Sequence, residues 1–323
     1  GAARQCLRTA VRYAQERRQF GRPIAEFGMV QRKIADMAAR IYASGSAAYR
    51  TAGLLDAAFA AISENDPQRD GLLRAVLEEY TVECSIVKVF GTECLDLVAD
   101  ESLQILGGYG FLKDYPVERH YRDSRINRIF EGTNEINRLI IAATILKRAG
   151  QGRIPYFEFA AKVKGELAKS ARSPSLGEEP LAADTVVVEQ AKKLVAWSAQ
   201  LLVARNLEDL ASRQQHLEIL ANMAVDLFAV ESVVARTKKI LLRQGEAKVG
   251  NELDLTRIFA ASANERIADG ARRLVANELR GTDLKAAFDE IERLTVFLPI
   301  ATIDAKTRIA ERIAGGDFGF LSD

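Results

Sequence analysis

Apolar residues recur at three- and four-residue spacing along most of this chain. One stripe runs from Met29 through Ile34, Met37, Ile41 and Ala48 to Leu55. The same period resumes from about Leu72 through Val76, Tyr80, Val87, Cys94 and Val98 to Leu103. Such spacing predicts amphipathic helices. Asn65-Asp66-Pro67 separates the two, with Pro67 suited to a first helical turn. Shorter helices over 2–18, 123–129 and 133–147 complete a bundle of about four main helices, and 107–116 reads as loop. No run alternates with period two between turns, as strands require, so the predicted fold class is all-α.

The pattern shifts after Gly150-Gln151-Gly152. Residues 172–183, rich in Ser, Pro, Gly and Glu, read as a flexible linker. Helices follow over about 184–210, 213–244, 251–280, 283–297 and 299–314. The β-rich triplet Val186-Val187-Val188 fits a helical face that continues to Ala191, Val195 and Ala199. Three parts result: a helical domain 1–150, a linker region 151–183 and a helical extension 184–323. Within the linker region, Tyr156, Phe159, Ala160, Val163 and Leu167 share one face, with Lys162, Lys164 and Glu166 away from it. That face suits core packing. The chain opens Gly1-Ala2-Ala3 without methionine and already in helical pattern, which suggests a piece of a longer protein.

Composition narrows the function classes. Lys+Arg 45 against Asp+Glu 44 leaves no electrostatic footprint for nucleic acid. Cys6, Cys84 and Cys94 are odd in number and form no CxxC pair, which suggests reduced thiols. Two histidines, His120 and His216, lie far apart and suggest no metal site. No apolar run is long enough for a bilayer, and there is no signal-peptide pattern. His120 and Trp197 read as structural residues.

The densest candidate chemistry lies in 125–138. Glu131 stands beside Gly132, and Thr133 is a suitable N-cap for the helix that continues through Ile136, Leu139 and Ile140. Gly132 removes a side chain next to the acid, so a substrate can approach the backbone. The acid alone is also explained by a favourable position at a helix N-terminus. Arg17 carries the fork suited to a pyrophosphate, or is a solvated member of the cluster Arg12, Arg17, Arg18, Arg22. The stretch 104–108 is a helix C-cap and turn, with no strand before it to make a dinucleotide fingerprint.

Three separated stretches resemble the acyl-CoA dehydrogenases, in that family's order and spacing. They are Tyr13-Ala14-Gln15-Glu16-Arg17-Arg18-Gln19-Phe20-Gly21, Gln104-Ile105-Leu106-Gly107-Gly108-Tyr109-Gly110-Phe111, and Phe130-Glu131-Gly132-Thr133. The resemblance implies that Glu131 is the catalytic base, with its N–H polarising the thioester carbonyl and Gly132 beside the substrate. It implies that Arg17, with Gln19 and Phe20 in the same motif, reaches the FAD pyrophosphate of a neighbouring subunit. Gln104, Ile105, Leu106, Gly107 and Gly108 would approach that same neighbouring FAD. Thr133, Asn134 and Glu135 would touch the nucleotide of their own subunit. Phe27 and Gly28 match positions near the flavin nucleotide, where the family more often has glutamine at Gly28.

By the same resemblance the chain is the C-terminal half of the family's architecture, without its N-terminal helical and middle β-barrel domains. The extension resembles the very-long-chain subclass and its assembly-factor relative, and since that subclass docks on membranes through the region of 154–167, the resemblance implies a membrane-surface role for that face. The implied activity is oxidation of a long-chain fatty acyl-CoA to the trans-2-enoyl-CoA, with electrons passed to an electron-transfer flavoprotein. A homodimer is the implied assembly, in the bacterial cytoplasm or the mitochondrion. The alternative is a non-enzymatic assembly or scaffold protein.

Overall fold

The computed structural model describes residues 1–169, 177–206, 208–295 and 301–321. The first part holds α1 (Ala2–Glu16), α2 (Gly28–Ala60), α3 (Arg69–Glu79), α4 (Thr81–Leu106), α5 (Pro116–Ile126) and α6 (Asn134–Gly150). The extension holds α7 (Tyr156–Ala168), α8 (Ala182–Asn206), α9 (Gln214–Gln244), α10 (Gly250–Glu278), α11 (Gly281–Leu294) and α12 (Thr302–Ala314). The all-α expectation holds, with one small departure. Arg18–Gln19 pairs antiparallel with Arg22–Pro23 in a two-stranded hairpin, called here β1 and β2. Period-two counting misses a hairpin this short, because two residues per strand hold no alternation.

Two helix boundaries also differ from expectation. The stripe from Leu72 to Leu103 is two helices, broken at Tyr80, whose backbone (φ −93, ψ 18) leaves the helical range. No residue of α3 is buried, whereas α4 buries Val82, Ile86, Val89, Phe90, Cys94, Val98 and Ile105. Apolar spacing alone cannot tell the two apart. The helix expected over 123–129 starts earlier, at Pro116, whose fixed φ and missing N–H suit a first turn. The predicted helices over 283–297 and 299–314 extend partly outside the described residues.

The main core joins both parts of the chain. Ile34, Met37, Ala38 and Tyr42 of α2, with Val89 and Val98 of α4, share one buried cluster with Val230 and Val233 of α9, Phe259 and Ala263 of α10 and Ile309 of α12. Alanines at 35, 38, 39, 43 and 47 let neighbouring helices approach α2 closely. A buried hydroxyl chain crosses the same seam. Tyr42 Oη lies 2.9 Å from Thr237 Oγ1, which lies 2.7 Å from Thr256 Oγ1. A second core gathers α7, α8, α9, α10 and α11 around Leu194, Leu202, Met223, Ile267 and Ile291. Trp197 packs there and donates to Glu290 Oε2 at 2.7 Å.

The amphipathic face of 154–167 is consumed by this second core. Ala160, Val163 and Leu167 are buried, Tyr156 and Phe159 pack against the cluster, and Tyr156 Oη donates to the Ala196 carbonyl at 3.0 Å. The face weighed as membrane-binding is therefore an internal one. Among the described residues no helix is long and apolar enough to cross a membrane. Of the predicted linker 172–183, residues 172–176 lie outside the described residues. Leu181, just before α8, is buried against Val249 and Leu253.

Asp184, in the first turn of α8, is 1% exposed, and neither carboxylate oxygen has a well-formed hydrogen bond among the described residues. Burial pushes its pKa up to about 6, against weaker opposing pulls from Arg257 and its own backbone N–H. A raised folded-state value means the folded protein holds this proton more tightly than the unfolded chain. Stability is therefore lost as pH rises from about 4 through 6, by about 3 kcal/mol. Asp184→Asn is expected to raise the urea midpoint at pH 7 and to leave it unchanged near pH 4. An equal gain at both pH values would refute this account.

Candidate functional site

The loop between α5 and α6 carries Glu131. Its backbone is tied at both ends: Ile129 N–H and Phe130 N–H donate to the Ile126 carbonyl, and Asn134 N–H donates to the Arg128 carbonyl at 3.1 Å. Thr133 is the cap of α6, its Oγ1 accepting from Ile136 N–H at 3.3 Å. Among the described residues two non-glycines adopt left-handed backbone, Phe20 (φ 50) and Glu131 (φ 55). For a residue with a Cβ that conformation is strained, and it persists where surrounding contacts enforce it. Gly132 continues the turn at φ 81, a value that glycine reaches without that strain. Its carbonyl accepts from Lys88 Nζ at 2.6 Å and from Asn137 Nδ2 at 2.9 Å. The Glu131 side chain is exposed.

Asn134 faces inward. It is 2% exposed, with Oδ1 accepting from Lys88 Nζ at 2.7 Å and Nδ2 donating to Glu93 Oε1 at 3.1 Å. Its side chain ties the start of α6 to α4. Glu135 is exposed, and its own backbone N–H and the Thr133 hydroxyl hold its carboxyl below the usual range.

A separate cleft of about 410 Å³ is lined by Tyr13, Arg17, Gln19, Ile24, Ile105, Leu106, Gly107, Gly108, Tyr109 and Leu112. It unites two of the sequence stretches, which lie nearly ninety residues apart. Arg17 and Gln19 sit where α1 passes into β1, opposite the end of α4. Ile105 and Leu106 are 6% and 1% exposed, so their side chains belong to the core. Gln104 is exposed outside the cleft lining, its carbonyl accepting from Gly107 N–H.

The glycines in this wall serve different ends. A Cβ on Gly110 would lie 2.6 Å from the Leu103 carbonyl oxygen, so helix packing demands glycine there. Gly107 needs it for φ 59. A Cβ on Gly108 would meet nothing within 4 Å, and its backbone is not left-handed. Among the described residues nothing requires glycine at Gly108, so the bare wall fits a ligand that approaches the backbone closely. Gly110→Ala is expected to cost about 2 kcal/mol through overpacking, with Gly108→Ala near neutral, as thermal unfolding can measure.

Phe20, Phe27 and Gly28 lie beside this cleft and do not line it. Phe20 and Gly21, both with positive φ, form the two-residue turn between β1 and β2. That turn leaves the Phe20 ring 91% exposed, edge-on to Phe27 at 6.1 Å. Phe27 is covered by the Arg22 guanidinium at 4.3 Å. Gly28 opens α2 with free space where a Cβ would be. No motif or spacing marks Lys88, Glu93 or Asn137, nor the meeting of Tyr13, Tyr109 and Tyr115 in one ring cluster with centroids 5.6 to 6.4 Å apart. Tyr13 and Tyr109 belong to the family-like stretches, whereas no spacing rule connects Lys88 to a loop more than forty residues later.

Among the described residues no group of three or more His, Cys, Asp or Glu can hold a metal ion, and all three cysteines are free. Family comparison gives two matches described as acyl-CoA dehydrogenase, C-terminal domain, over residues 1–146 and 190–293. This chain is built of acyl-CoA dehydrogenase C-terminal domains. A probable acyl-CoA dehydrogenase of Bacillus subtilis is 40% identical over 318 residues, 97% of this chain and 52% of that protein. The human mitochondrial very long-chain specific acyl-CoA dehydrogenase is 30% identical over 291 residues, 85% of this chain and 42% of its own. The crystal structure of an acyl-CoA dehydrogenase from Bacillus anthracis, complexed with FAD, superposes with TM-score 0.93 at 38% identity. It matches 98% of this chain and 53% of that one. The chain thus spans about half the length of the acyl-CoA dehydrogenases it matches.

Proposed function

We propose that this chain is the base-bearing half of an FAD-dependent acyl-CoA dehydrogenase. The observation that carries the reading is Glu131, exposed on a left-handed backbone and followed by a carbonyl pinned by Lys88 and Asn137. FAD, when bound, supplies the acceptor for the hydride that leaves the β-carbon of the acyl chain. Glu131 takes the α-proton, and its N–H polarises the thioester carbonyl. Arg17 would hold the pyrophosphate, with Gln19 and the backbone at Gly107 and Gly108 along the same cleft.

The flavin-facing residues fall into two groups. One is the cleft of Arg17, Gln19, Gly107 and Gly108, and the other is the α6 N-terminus with Thr133 and Glu135. Asn134 packs on α4 near Thr92, so the groups are separated by about 20 Å along α4 at 1.5 Å per residue. This spacing supports a homodimer in which each chain lends one group to its neighbour's flavin. The division at 150 and 183 belongs to the same reading, supported by the two family matches at 1–146 and 190–293.

Long-chain acyl-CoA is the proposed substrate, supported by an extension shared with the human very long-chain enzyme. An electron-transfer flavoprotein is the proposed acceptor. In its support, the caffeyl-CoA reductase-Etf complex subunit CarC of Acetobacterium woodii is 35% identical over 148 residues, 46% of this chain and 34% of its own. The test is the visible spectrum of the protein purified from its natural gene, before and after anaerobic addition of a long-chain acyl-CoA. A yellow protein that bleaches is expected. A colourless protein that stays apo when FAD is supplied would overturn the proposal.

A further inference from the structure

A continuous set of hydrogen bonds leads from the Glu131 loop into the extension. Lys88 Nζ donates to the Gly132 carbonyl at 2.6 Å and to Asn134 Oδ1 at 2.7 Å. Asn134 Nδ2 donates to Glu93 Oε1 at 3.1 Å. The same oxygen accepts from Arg138 Nη2 at 2.7 Å, and Arg138 Nε donates to Asn222 Oδ1 at 2.6 Å. Asn222 lies on α9, within the segment that matches a second family domain. Arg138 is held well inside, its side chain 12% exposed.

We propose that Asn222 is a positioning residue for the Glu131 turn, so that the extension sets the geometry of the catalytic loop. The proposal rests on Glu131 being the base. The physical argument is one of competition for donors. Asn222 gives Arg138 Nε a neutral acceptor, which leaves Glu93 free to be shared between Arg138 and Asn134. Without that acceptor, the guanidinium is drawn to take both Glu93 oxygens in the bidentate geometry it favours. Asn134 Nδ2 then loses its charged acceptor and keeps only Thr92 Oγ1 at 3.1 Å, so the amide that aims the Lys88 ammonium at Gly132 is held less firmly. The anchored Gly132 carbonyl is one of the restraints, beside the loop's own backbone bonds, that hold Glu131 in a conformation its own Cβ disfavours. Buried polar networks of this kind work as units, and removing one member disturbs the rest.

The test uses the full natural protein with its flavin and three proteins: wild type, Asn222→Leu, which removes the acceptor, and Asn222→Asp, which keeps it. Hydrogen exchange of peptides covering residues 128–136 is followed beside kcat and KM for acyl-CoA. In Asn222→Leu the loop amides should exchange about tenfold faster while the α9 peptides are unchanged. Its kcat should fall about tenfold with KM held, and Asn222→Asp should restore both. If Asn222→Leu does not fold, Asn222→Ser, whose hydroxyl is too short to reach Arg138, takes its place. Wild-type loop exchange in the acceptor-less variant would overturn the proposal. So would equal losses in the leucine and aspartate variants, which would mean packing and not the acceptor matters. Loop exchange does not depend on which residue is the base. If the loop loosens but kcat is unchanged, and Glu131→Gln also turns over normally, then the Glu131 reading falls and the structural link stands.

Discussion

Glu131→Gln is expected to retain flavin and to cut turnover by about 10³-fold, within the range that a positioned general base supplies. The amide is nearly the same size and can occupy the same turn, so the loop geometry survives. What disappears is the capacity to accept a proton. The loop is closed by backbone bonds and by Lys88 and Asn137 on the Gly132 carbonyl, none of which involves the Glu131 side chain. Thermal stability should therefore stay at the wild-type value. The check is anaerobic reduction of the bound flavin by acyl-CoA in a stopped-flow instrument. Reduction at the wild-type rate would remove Glu131 as the base.

Asp226→Ala is expected to cost about 2 kcal/mol of folding stability, less than the roughly 3 kcal/mol for breaking a fully buried ion pair, because the Arg266 side chain is 35% exposed. Arg266 grips Asp226 with Nε at 3.1 and 2.9 Å and Nη2 at 2.7 Å. The Asp226 side chain is 11% exposed. A second guanidinium, Arg40, stands nearby, its Nε buried without a hydrogen bond among the described residues. Burial, and then the charge of Arg266, lower the pKa of Arg40. The two cations lie over Phe90 and Phe259, whose rings meet edge-on at 5.8 Å. Removing Asp226 leaves two cations facing each other at the seam between α2, α4 and the extension. Urea unfolding at pH 7 measures the loss, and Asp226→Asn should lose less because it keeps an acceptor. A change below 0.5 kcal/mol in the alanine variant, the size of a neutral surface substitution, would contradict this picture.

The local chemistry of the chain determined much of its organisation. Helical period marked α2, α4, α6 and the extension helices. Thr133 announced the start of α6, and Gly107 the end of α4, because caps act through backbone groups within a few residues. The same local character made Glu131 beside Gly132, and Arg17 beside Gln19, legible as candidate chemistry. Only the tertiary structure decided the rest. It separated solvent-exposed α3 from buried α4, which share one spacing, and turned the amphipathic face of α7 inward. It brought Arg17 to Gly108 across about ninety residues, and turned Asn134 away from the surface to meet Lys88 and Glu93. It also linked Arg138 to Asn222. Apolar period and capping depend on neighbours three or four residues away, so they are written in order along the chain. Which partner buries a face, or satisfies a buried amide, depends on how helices pack, and sequence spacing carries no record of that.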